Sequence, residues 1–169
     1  MVHPLVQQLR FARSEFRRAM EGVSDEDARH RFMPMNSLSW MIMHLAAQEQ
    51  FFWLIQAQGR TLNPRVYELA GYGQPASTPP LDEAWAAWEA ITEAADPCLD
   101  TFTSAMLTSN MCTDCEGEGE SIGTMLLRLT YHYWYHIGET QAIRQMLGHQ
   151  RLPEFVGAIH SEAPYTPEA

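Results

Sequence analysis

Residues 121–147 read SIGTMLLRLTYHYWYHIGETQAIRQML, and this stretch decides how the chain folds. Ser121 is a favourable helix N-cap, no proline interrupts the run, and Gly148 stands just past its end, so the stretch reads as one long helix. At 3.6 residues per turn, His132 and His136 lie only ~40° apart around the axis, and Glu139 lies ~20° from His132 on the other side. Met125, Leu129 and Ile143 share that stripe, and so does Arg128. Two imidazoles and a carboxylate therefore occupy a face expected to point into a core.

Working outward, residues 37–58 form a second helical pattern, with Asn36 or Ser37 as N-cap and Gly59 as its stop. His44 lies on its inward face with Ser37, Trp40, Met41, Ala47, Gln48, Phe51 and Ile55. A first helix is expected over 4–20, with Leu5, Leu9, Ala12 and Phe16 at helical spacing. A third begins at Leu81 and carries Trp85, Trp88 and Ile91 as core, and Asp96-Pro97 is expected to kink or break it before Leu99, Phe102 and Met106. Residues 59–80, rich in glycine and proline, and 109–120 read as loops, and the tail from Arg151 is irregular apart from a turn over 154–158. No run alternates with period two. The expectation is an all-α protein, one domain over 1–169, built as a four-helix bundle with a short extra C-terminal segment.

Composition narrows the function. A formal net charge of −10 on 169 residues repels phosphate backbones and anionic lipid, so neither nucleic acid nor a membrane surface is expected as a partner. The apolar run over 38–55 is interrupted by His44, Gln48, Glu49 and Gln50, which marks a buried helix rather than a membrane span. Three cysteines, Cys98, Cys112 and Cys115, make no disulfide framework, and MVHPLVQQLR lacks the features of a secretory leader, so a cytoplasmic setting is expected. The lone C-x-x-C of Cys112 and Cys115 reads as a loop feature, and His3, His30, His149 and His160 as solvated.

The three core histidines carry the chemistry. One histidine on an apolar stripe is ordinarily satisfied by a hydrogen bond. Three together are harder to satisfy, because each unpartnered buried polar group costs about 1–3 kcal/mol and the rings resist joint protonation. A divalent ion takes all their lone pairs at once. Other metal motifs fail on inspection: Tyr133 follows His132 where a helical metalloprotease needs glutamate, no Glu-x-x-His pair exists for a di-iron site, and Glu116 follows Cys115 where c-type haem needs histidine. Three imidazoles leave a coordination position open, as in catalytic sites, and imidazole suits zinc, nickel, copper and iron alike.

NSLSWMIMHLAAQE at 36–49 together with YHYWYHIGET at 131–140 resembles the DinB-like (YfiT-type) metalloenzyme superfamily. The resemblance implies an up-down-down-up four-helix bundle, commonly a homodimer, that holds nickel, zinc or another divalent ion through His44, His132 and His136. Many members have glutamine where this chain has Glu139, which implies a fourth ligand or a general base at that position. Characterised relatives include bacillithiol transferases and a mycothiol-dependent maleylpyruvate isomerase. The leading expectation is therefore a metal-dependent transferase that uses a low-molecular-weight thiol on a small-molecule electrophile. Helical phase adds Gln48 as an orienter behind the ligands and Arg128 as an anchor for an anionic substrate. Two alternatives stand beside it: metal-assisted hydrolysis at the same site, and a non-enzymatic helical dimer that binds a metal or small ligand.

Overall fold

The computed structural model describes residues 2–111 and 119–167, and among these every element is helical. Helix α1 spans Pro4–Ala19, α2 Asp25–Arg29 and α3 Leu38–Glu49, which runs directly into a π-helix over Gln50–Gln56. Then come α4 (Arg65–Ala70), α5 (Leu81–Leu99), α6 (Ser104–Leu107), α7 (Ile122–Met146) and α8 (Ile159–Glu162). The α-helical class expected from the sequence is what the chain adopts.

Side-chain caps start the helices where the sequence placed them. Ser37 accepts from the Trp40 amide to begin α3, and Ser121 accepts from the Thr124 amide to begin α7. The long helices pack α1 on α7 and α3 on α5, with α3 also against α7. Leu9 and Phe16 of α1, Met41, Ile42 and Leu45 of α3, Ile91 and Leu99 of α5, and Leu129 and Ile137 of α7 are buried between them. Both Trp85 and Trp88 pack against this core, edge to face at 5.5 Å between ring centres.

Several local expectations are corrected. The helix expected over 37–58 is present, but its second half winds as a π-helix, whose i→i+5 bonds turn less per residue. Side chains beyond Glu49 therefore fall out of helical phase: Phe51, expected inward, is 41% exposed, while Gln50 is fully buried. The stretch read as a loop over 59–80 contains α4. Asp96-Pro97 does not break α5, which continues to Leu99 with Pro97 in its last turn, so only two helical residues follow the donor that proline lacks. The polar connection after α1 holds α2, capped by Ser24, and the C-terminal turn is α8, a few residues later than expected. His3, expected in solvent, is buried and caps α1, its Nδ1 accepting from the Leu5 amide at 3.1 Å. His149 is half-buried between Arg144 and Asp27. Cys112 and Cys115 lie outside the described residues.

Candidate metal centre

Trp40 and His44 sit one turn apart on α3, and their rings stack at 4.5 Å with planes 10° apart. That stack aims His44 at α7, where His132 and His136 leave the same face as their four-residue spacing requires. Ring centres lie 5.0 Å apart for His44 and His132, 5.5 Å for His44 and His136, and 4.7 Å for His132 and His136. One nitrogen from each ring falls within 4.8 Å of the others. The structure thus brings together the three histidines that the sequence singled out, from two distant stretches of chain.

Hydrogen bonds on the outer side of two rings fix which nitrogens point inward. His44 Nδ1 lies 2.8 Å from the Ala70 carbonyl, and a carbonyl only accepts, so that nitrogen carries the proton and Nε2 keeps its lone pair. His136 Nδ1 donates to Glu139 Oε2 at 2.6 Å, leaving His136 Nε2 as an acceptor 3.0 Å from His132 Nε2. This is the arrangement by which an outer carbonyl or carboxylate orients metal-ligating histidines.

Electrostatics disfavours a charge on His44 and on His132. Burial pushes His44 below its ordinary value despite the Ala70 carbonyl, and burial with the neighbouring His136 and His44 holds His132 down to about 3. At neutral pH these two rings are therefore uncharged and keep a lone pair for coordination. Burial works to raise the Glu139 carboxyl, but the hydrogen bond and charge of His136 and the Tyr135 hydroxyl outweigh it and hold Glu139 ionised below its usual range. For metal–nitrogen bonds of ~2.0–2.1 Å at near-tetrahedral angles, ligand nitrogens stand ~3.3 Å apart. His132 and His136 Nε2 stand 3.0 Å apart and all three ligand atoms lie within 4.8 Å of one another, a spacing that brackets that value and fits a divalent transition-metal ion.

The remaining expected site residues surround this point. Glu139 is half-buried and engaged with His136 through the nitrogen facing away from the cluster. Gln48 lines the cavity beside the triad but, among the described residues, the outer ring nitrogens are held by Ala70 and Glu139 rather than by Gln48. Arg128, expected on the inward stripe, is exposed at the cavity edge and forms a salt bridge with Glu120. The cavity, about 770 Å³, also presents Leu127, Tyr131 and Tyr135 next to His132. Sequence reasoning missed Ala70, whose part is played by backbone alone and leaves no side-chain signal. It also missed Trp40 as the ring behind His44, although the i, i+4 spacing was readable.

A family model described as the DinB superfamily matches residues 8–140, well over half of the chain and including all three histidines. No curated protein matches the chain.

Proposed function

This chain belongs to the DinB superfamily, and we propose that it is a metal-dependent S-transferase, holding one zinc or nickel ion on His44, His132 and His136 and joining a low-molecular-weight thiol to small electrophiles. The observation that carries this reading is the convergence of three imidazoles within 4.8 Å beside an open cavity. When bound, such an ion supplies the acidity that converts a thiol to its nucleophilic form.

The chain's own residues divide the remaining work. Ala70 and Glu139 orient His44 and His136. Arg128 takes an anionic group of a substrate, exchanging it for Glu120; both partners are solvent-exposed to a degree that makes their pair worth little, about 0–1 kcal/mol. Gln48 orients a reactant from the cavity wall. Glu139 is committed to His136 through the ring nitrogen that faces away from the cluster, so it acts through that ligand rather than as a free base.

Purified, metal-loaded protein offered a generic electrophile with several thiols, and ester substrates in parallel, separates thiol transfer from hydrolysis. The expected result is thiol-dependent product formation that His132→Ala abolishes. Turnover of esters without any thiol dependence contradicts the proposal and selects the hydrolase.

A further inference from the structure

A second cleft lies across Gln48 from the Arg128 cavity. It measures about 360 Å³ and is lined by Gln48, Phe51, Tyr67, Gly71, Tyr72 and Gln74 along with Ala47. None of these side chains carries a charge, in a chain whose 21 acidic and 11 basic residues otherwise cover much of its surface. Its rings are presented rather than packed away: Phe51 is 41% exposed, rotated outward by the π-helix, and Tyr72 is 98% exposed. Tyr67 is held as a fixed wall by its hydroxyl, which donates to the Ala47 carbonyl at 3.1 Å. At Gly71 a Cβ would meet the Tyr67 carbonyl oxygen at 2.5 Å, so the turn that closes α4 beside the cleft admits only glycine without displacement.

The same short element grips a metal ligand. Gln50, fully buried, fastens the entry to α4, accepting from the amides of Leu62 at 2.9 Å and Asn63 at 2.7 Å and donating to the Asn63 carbonyl at 2.9 Å. The far end of α4 presents the Ala70 carbonyl to His44. A molecule seated against Tyr67, Gly71 and Tyr72 therefore bears on the segment that sets the position of His44.

We propose that this cleft binds an uncharged aromatic molecule of one or two rings, the apolar body of the electrophile, and that its occupancy tightens the hold on the metal through α4. The inference rests on the metal-site reading above. The cleft volume lies at the small end of ligand pockets, roughly 300–1,000 Å³, which suits such a body. An ion would have to shed water against a wall that offers no opposite charge. Because coupling between two binding events is reciprocal, an aromatic ligand that favours the His44-gripping position of α4 must raise zinc affinity by the factor by which zinc raises its own.

The test uses the full chain loaded with zinc, 4-nitroanisole as the neutral probe and 4-nitrobenzoate as its anionic counterpart, with binding read by calorimetry and zinc affinity by chelator competition. Expected are saturable binding of 4-nitroanisole, a loss of roughly tenfold in Phe51→Ala or Tyr72→Ala, the size of one aromatic contact, and no change in 4-nitrobenzoate affinity in either variant. Both positions are exposed, so the variants fold. Zinc affinity should rise in the presence of 4-nitroanisole in the parent chain and not in Phe51→Ala. Zinc-loaded protein that ignores 4-nitroanisole, binds it equally well after both substitutions, or shows no zinc coupling overturns this inference alone. A chain that takes up no zinc at all overturns the metal reading and this inference with it.

Discussion

Between α3 and α7 the core holds two polar clusters, Arg13–Glu49–Tyr133–Trp88 and His44–His132–His136. In the first, the Arg13 guanidinium meets Glu49 in two hydrogen bonds of 2.6 Å, the Tyr133 hydroxyl donates to Glu49 at 2.8 Å, and Trp88 donates to Tyr133 at 2.8 Å. Asp96 adds a further contact to Arg13 at 2.8 Å. Charge is balanced, and each hydrogen-bonding group named has its partner inside the protein, so although burial alone would lower Arg13, Glu49 keeps it firmly charged. In the second cluster the outer nitrogens of His44 and His136 are satisfied by the protein while the inner ones face each other. At least two of those inner nitrogens are acceptors, and a proton on His132 Nε2 serves only one of them. Once the His132 proton moves to its other ring nitrogen, three lone pairs converge that a cation completes. Both clusters lie among the long helices; what separates a structural network from a binding site is whether the protein supplies the last partner.

The largest effect should come from breaking the self-sufficient cluster. Glu49→Ala leaves Arg13 buried without its main counter-charge and should cost about 3–5 kcal/mol, measured as a shift in the urea midpoint. His132→Ala on metal-free protein should cost much less, since its ring is only half-buried and its inner nitrogen meets another imidazole rather than a buried charge. Equal losses would erase the distinction.

Glu139→Gln comes next. It keeps the side chain's shape but replaces a carboxylate acceptor from His136 with an amide, and should weaken metal binding by about 10–100-fold while leaving the urea midpoint nearly unchanged. Unchanged metal affinity would show that Glu139 does not set the ring.

The smallest effect is on pH. In metal-free protein the unfolded His132 titrates near 6.5, whereas burial and its two neighbours hold the folded ring down to about 3. Between those values the unfolded chain binds the extra proton, so this contribution to stability is present above about pH 6.5 and is lost as pH falls toward 3. His44 shifts in the same direction. The urea midpoint of metal-free His132→Gln should accordingly fall less between pH 7 and 5 than that of the parent chain.

The site was more legible than its surroundings, for physical reasons. His132 and His136 share a face because helical periodicity demands it, and His44 stood on a stripe whose neighbours are apolar, so local spacing sufficed. Arg13 and Glu49 were passed over although each sits among buried positions, because a charged residue in an amphipathic helix reads as solvated until its partner on another helix is known. The π-helix was invisible since residues such as Phe52, Trp53 and Leu54 suit either winding, and with it went the outward turn of Phe51. Helix α4 is six residues long, too short to announce itself by periodicity between Pro64 and Gly71. Arg128 was phased correctly with the stripe but lies near the start of α7, where the face opens to solvent and Glu120.

Elemental analysis of the chain purified without an affinity tag, beside His132→Ala prepared identically, tests the central claim most directly. About one transition-metal ion per chain in the parent and almost none in the variant is the expected result. A parent chain free of metal even after zinc or nickel is supplied, or a variant that retains as much as the parent, would contradict it.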